Sequence, residues 1–125
     1  MTENAIATAV VDAAFQIHTK LGPGLLESVY QAVMVHELTR RGLSVAHEVP
    51  VPVIWEGLRL EVGFRADIIV EGRVVIELKS VEAVAPVHPK QLRTYLRLTG
   101  CKLGLLVNFN VNLIEDGITR VVNGL

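Results

Sequence analysis

A single cysteine, Cys101, among 125 residues excludes an intramolecular disulfide and any zinc cluster built on thiolates. Its place at the entry of an apolar stretch predicts a small buried hydrophobe rather than a reactive thiol. No apolar run reaches the ~18 residues that span a bilayer, and the N-terminus lacks the basic-then-apolar order of a secretory leader. The expected address is the cytoplasm. Cations are not in excess either: 12 basic residues face 13 acidic ones, for a formal net charge of −1. That balance argues against a protein that coats nucleic acid, while leaving room for an enzyme that touches it only around its site. The chain also has no nucleotide-phosphate loop, no histidines at zinc-ligand spacing (His36 and His47 stand alone), and no serine or cysteine with a recognisable base partner. Internal repeats, low-complexity tracts and linkers are absent.

What remains is a composition that is 50% hydrophobic and 20% charged, which fits one globular domain over residues 1–125. Ile6, Val10, Ala13, Ala14 and Ile17 predict an amphipathic helix from about Asn4, its cap, to Lys20. Gly22-Pro23-Gly24 reads as a hinge into a second helix, Leu25 to Arg41, stopped by Gly42. Three strands follow: Leu43 to Trp55, Leu58 to Val70 and Val74 to Ser80, with turns at Glu56-Gly57 and Glu71-Gly72. Pro50 and Pro52 place the first of them at a sheet edge, because proline cannot donate to a ladder. A helix from Pro89 to Thr99, a strand from Lys102 to Phe109 with both faces covered, a turn at Asp116-Gly117 and a short strand from Ile118 to Val122 complete the order. The expected class is α/β.

The chemistry concentrates in Asp67, Glu77 and Lys79, followed by Gln91 and Tyr95. Phosphodiester hydrolysis calls for a hard divalent ion such as Mg²⁺ or Mn²⁺, and such ions take carboxylate oxygens. Asp67 and Glu77 are the candidate ligands. Glu77 and Lys79 are two apart on a strand and share a face, so both can reach one site, with the lysine as a compact cation beside the phosphate. The register decides whether Asp67 joins them. A strict two-residue loop at Glu71-Gly72 sets Asp67 opposite Ile76, on the wrong face, whereas a three-residue loop with Gly72 left-handed sets it opposite Glu77. The second register is predicted.

Each of these residues also has a plainer reading. Charges on such apolar strands can be a buried acid–lysine pair, costly unless paired. Gln91 and Tyr95, four apart, share a helix face that suits phosphate contact or a polar cap over the sheet. Lys90, Arg93 and Arg97 make that helix the best candidate for contact with a nucleic-acid backbone, and suit solubility equally. Glu27 favours its helix N-terminus whatever its function, and becomes a third metal ligand only if it faces Asp67. His18 and His88 are structural residues or accessory proton carriers.

Gly24-Leu-Leu-Glu27-Ser-Val-Tyr30 reads as Gly-x-x-Glu-x-x-Tyr, and Val10 to Asn123 resembles the small GxxExxY proteins, a branch of the PD-(D/E)xK nuclease-like superfamily. The likeness is most specific at His18 to Gly24, Glu27, Tyr30, Arg65-Ala66-Asp67, Glu77-Leu-Lys79, His88 to Tyr95 and Asn108-Phe109. It implies a restriction-endonuclease-like core, αβββαβ, with a central mixed sheet flanked by helices and an extra N-terminal helix. It further implies Asp67 and Glu77 as metal ligands, Lys79 as the catalytic lysine, Glu27 as the helical acid, and Gln91 with Tyr95 as the helix motif of exonuclease-like members. Ala66 stands where the superfamily is named for proline.

The expected function is hydrolysis of DNA or RNA by metal-activated water. The rival is a non-catalytic module of the same fold that self-associates or binds protein or nucleic acid. An exposed edge strand that can pair with another copy, giving a homodimer, favours the rival.

Overall fold

The chain opens at Thr2, whose hydroxyl accepts the Ala5 N–H at 3.1 Å and caps helix α1, Glu3–Leu21. Asn4 lies inside the helix instead of capping it. In this computed structural model, which describes residues 1–125, the α1 stripe Ile6, Val10, Ala13, Ala14 and Ile17 is buried as its spacing requires. Helix α2, Glu27–Arg40, starts two residues later than expected, because Leu25 and Leu26 remain in the turn. Tyr30 builds that turn: its hydroxyl donates to the Gly22 carbonyl at 2.6 Å and accepts the Leu25 N–H at 3.1 Å. Arg41 ties the two helices, reaching Asp12 at 2.7 Å and Glu37 at 3.0 Å.

The five strands are β1 (Val45–Trp55), β2 (Leu58–Val70), β3 (Val74–Lys79), β4 (Leu103–Asn108) and β5 (Ile118–Val122), in that spatial order. β1, β2 and β3 form an antiparallel meander, β4 runs parallel to β3, and β5 is antiparallel to β4. Helix α3, Val87–Thr99, makes the crossover to the parallel strand. It starts before Pro89, which occupies the first turn, where its missing N–H costs nothing. Where a simple turn was expected at Asp116-Gly117, a 3₁₀ helix, Ile114–Gly117, leads into β5.

The sheet has a core on each side. Ile68, Val70, Val74, Ile76, Leu103 and Leu105 pack against α1 and α2, while Ala66, Val75 and Leu106 pack with Leu92 and Leu96 of α3. All six residues of β4 are buried, as a strand covered on both faces should be. β1 is an edge strand, with Pro50 opposite Arg65. Cys101 is buried, its thiol 3.6 Å from the Gly72 carbonyl.

Candidate active site

The β2–β3 turn sets the register of the site. Glu71 and Gly72 both have positive φ, 54° and 64°, and Arg73 N–H closes the turn on the Val70 carbonyl at 3.0 Å. Three residues therefore separate the pair Val70–Val74, and the register Val70–Val74, Ile69–Val75, Ile68–Ile76 brings Asp67 opposite Glu77. The predicted register is the one observed. Glycine adopts such a φ freely, whereas Glu71 is compensated by bonds to the start of β1: its N–H donates to the Ser44 carbonyl at 2.8 Å and its carboxylate accepts the Ser44 N–H at 3.2 Å.

Regular alternation fails at Asp67. Phe64 and Ala66 belong to the α3 side of the sheet, yet Ile68 and Val70 belong to the α1–α2 side. The neighbouring strand inverts in step, with Val49 and Val51 on the α3 side and Val45 on the other. Between them stands Glu48, at φ 49°, directly across from Asp67 in the β1–β2 register. Here β2 and β3 stop pairing through their backbones. Instead the Asp67 carboxylate accepts the Leu78 N–H at 2.8 Å and the Glu77 carboxylate accepts the Asp67 N–H at 3.3 Å. Each acid is thus held by the other's strand, and the two carboxylates also lie within hydrogen-bonding reach of each other.

Burial in this junction raises the proton affinity of both acids. Burial, then the Asp67 charge, pushes Glu77 up to about 8. Burial also raises Asp67, against the opposing pull of the Leu78 N–H, and the Glu48 charge adds to the rise. Lys79 favours both ionised forms from a distance, without forming an ion pair within 4 Å. The buried acid–lysine pair is therefore not what this site contains. Tyr95 lies over the acids, its phenol raised by burial and then by the charges of Glu77 and Asp67, and its ring is stacked on Phe64 at 3.7 Å. Gln91 and His88 precede it by four and seven residues on the same face of α3. His88 Nδ1 is buried without a hydrogen-bond partner.

Other expected residues stand apart from this group. His18 Nε2 donates to the Val111 carbonyl at 2.8 Å and ties α1 to the segment after β4. Tyr30 is fully buried and stacked on Phe109 at 4.3 Å, holding the turn between the helices. Glu27 is exposed at the start of α2, in a cleft shared with Ser80, whose hydroxyl donates to the Leu25 carbonyl at 2.6 Å. That bond fastens α2 one residue beyond Lys79. No three His, Cys, Asp or Glu side chains are grouped closely enough to form a metal cage, so Glu27 is not brought to the Asp67–Glu77 pair.

One residue at the site, Glu48, carried no sequence signal, and another, Asn108, was marked only through the family likeness. Glu48, held by the Gln31 amide at 2.8 Å, is a further acid whose charge reaches Asp67. Asn108, opposite Lys79 across the β3–β4 pairing, binds both backbone groups of Val81 at 2.9 and 3.1 Å and fixes the segment after Lys79. Beyond that likeness, a buried polar residue ending an otherwise apolar strand was its signal.

A family profile for the PD-(D/E)XK nuclease superfamily matches residues 4–121. The chain belongs to that superfamily. Among solved structures, the crystal structure of SSO0001 superposes with a TM-score of 0.50 at 20% identity, over 94% of this chain and 66% of that one. At that identity the likeness shows the fold, and the chain spans just under two thirds of that protein. No curated protein matches in sequence. Within this PD-(D/E)XK domain the acid pair falls at the splayed end of the β2–β3 pairing, and the superfamily's usual reliance on divalent ions agrees with its donor set. No helix is long and apolar enough to cross a membrane.

Proposed function

We propose that the protein hydrolyses phosphodiester bonds of DNA or RNA with Mg²⁺ or Mn²⁺ held by Asp67 and Glu77. The observation that carries this reading is the largely buried pairing of two carboxylates, each fixed through one oxygen to the other's strand and the two in direct side-chain contact, an acid pair that a cation would hold ionised. A small, hard ion that keeps much of its water needs one or two such ligands plus a substrate phosphate, so the pair fits without a third acid. When bound, the ion supplies polarisation of the phosphoryl oxygen and a lower pKa for the attacking water.

The chain's own residues account for the remaining needs. Lys79, unpaired on the same strand as Glu77, balances charge on the phosphate and orients the nucleophile. Tyr95 and Gln91 face the same place from α3 and contact the substrate phosphate. Lys90, Arg93 and Arg97 share a groove with Arg120 of β5 that contains no acid, and this groove suits a nucleic-acid backbone. Glu27, at the fastened start of α2, and His88, with its unpartnered nitrogen, are accessory candidates at the rim. The GxxExxY assignment belongs with this reading.

The test is cleavage of labelled single- and double-stranded DNA and RNA in Mg²⁺ or Mn²⁺. Glu77→Gln and Lys79→Ala should each lower the rate by roughly 10³-fold or more while remaining folded by circular dichroism. Equal cleavage by the variants would show a different site. If folded wild-type protein cleaves none of the four substrates, the non-catalytic module is the better reading.

A further inference from the structure

The β1–β2 ribbon outruns the sheet. β3 pairs with β2 only at Ile68, Ile69 and Val70, so beyond the Val51–Phe64 pair the ribbon projects two strands wide. Its pairs Val53–Leu60 and Trp55–Leu58 lie on one face, since directly opposed residues and alternate residues share a side. That face is apolar and wet: Trp55 is 69% exposed, Leu58 57% and Leu60 53%. The other face carries Ile54, opposite Arg59, and the pair Arg59 and Glu61, bonded to each other at 2.8 Å. An amphipathic ribbon with no core beneath it calls for a cover, because isolated two-stranded ribbons are marginal and apolar patches of this kind mark interfaces.

We infer that this face packs against the same face of a second copy, forming a two-fold dimer through the projecting ribbons. Three observations select that occupant. First, strand addition along β1 is disfavoured. Pro50 lies within the ladder, so its nitrogen faces outward, and Pro52 removes the next outward donor two residues on. A partner must therefore use the face. Second, the ribbon carries Glu56, Arg59 and Glu61, a net negative set that opposes nucleic acid and anionic lipid. Its single cation is already neutralised within the copy, so self-packing buries no unpaired Arg59.

Third, the area suits a self-complementary contact. Trp55, Leu58 and Leu60, with the adjacent Val62, expose roughly 400 Å² of carbon per copy, or ~800 Å² for two faces before the rim is added. Stable interfaces begin near ~1,200 Å² in total, so the apolar faces supply about two thirds of that area and leave the rest to the rim. The dimer is accordingly weak, with a micromolar dissociation constant. It is independent of the nuclease reading, and each dimer contains two copies of the acid pair.

Trp55 is the protein's only tryptophan, so its fluorescence reports this surface directly. From about 1 to about 200 µM, emission should shift to the blue, with a midpoint that matches the rise from monomer to dimer mass in sedimentation equilibrium. Leu60→Lys, at an exposed position, should remain folded, monomeric and red-shifted throughout. A wild type that stays monomeric at the highest concentration overturns the inference, as does a dimer that Leu60→Lys leaves intact. A blue shift seen only after adding DNA, RNA or lipid vesicles would assign the face to that partner and also overturn it. Cleavage assays on Leu60→Lys separate the two proposals, since loss of the dimer and loss of the acid pair are read independently.

Discussion

The two ends of β2 invert the usual arrangement in opposite ways. At Leu58–Val62 the strand holds large apolar side chains in water, and at Asp67, nine residues beyond Leu58, it holds a carboxylate in a largely dry junction. Neither end serves the stability of the isolated chain. Between them Phe64 and Ala66 are ordinary core residues, covered by α3. Stability thus comes from Phe64 and Ala66 and, past Asp67, from Ile68 and Val70, and the two departures stand where a partner can relieve each: carbon against carbon at the arm, a cation against paired oxygens at the junction.

The sharpest way to break that comparison is to truncate carbon at both places. Ile68 is fully buried in the core beneath α1 and α2, so Ile68→Ala should cost about 3–4 kcal/mol in urea unfolding. Leu60→Lys, measured where the protein is monomeric, should lie within about 0.5 kcal/mol of wild type. If the two changes cost the same, the ribbon is packed within its own copy and the contrast fails.

The acid end is tested by removing its charge without changing its shape. Glu77 has its pKa raised from an ordinary 4.5 to about 8, so the folded state keeps a proton that the unfolded chain releases. The associated stability is present in full below pH 4.5 and is lost as the pH rises through about 8. Metal-free wild type should therefore weaken across this window. Glu77→Gln, which can still accept the Asp67 N–H, should flatten the slope and gain on the order of 2 kcal/mol at alkaline pH, even as it abolishes the proposed activity. Adding Mn²⁺ should stabilise wild type and leave the variant unchanged. A variant less stable than metal-free wild type at pH 9 would show that the carboxylates do not oppose one another.

The same contrast marks what the sequence could and could not reveal. The Glu71-Gly72 loop and the period-two pattern of Glu77 and Lys79 are local, so the facing of Asp67 and Glu77, the edge position of β1 and the covered β4 were all legible. The inversion at Glu48 and Asp67 was not. It requires a non-glycine residue in left-handed conformation, which no local propensity favours, and it arises because α1–α2 and α3 claim different residues of the same two strands. Alternation read straight through that point misses Glu48. Tyr30 was legible as a signature position but its structural part was not: its hydroxyl is fully used by Gly22 and Leu25. The start of α2 was misread for the same reason, since that side-chain bond, rather than any capping residue, holds the turn.

Away from β2, Glu37 supplies an acid whose effect has the opposite sign. Hydrogen bonds from Arg40 and Arg41 hold its carboxyl down at about 2, from an ordinary 4.5. A depressed pKa contributes stability above pH 4.5 that disappears as the pH falls through about 2. Glu37→Gln should therefore remove part of the acid limb of the stability profile and leave the slope between 4.5 and 8 untouched, with a small effect because the Arg40 side chain is 64% exposed and screened. Thermal unfolding from pH 2 to 9 on this variant and on Glu77→Gln would resolve the two limbs. If Glu37→Gln altered the alkaline slope instead, that slope could not be assigned to the junction between β2 and β3.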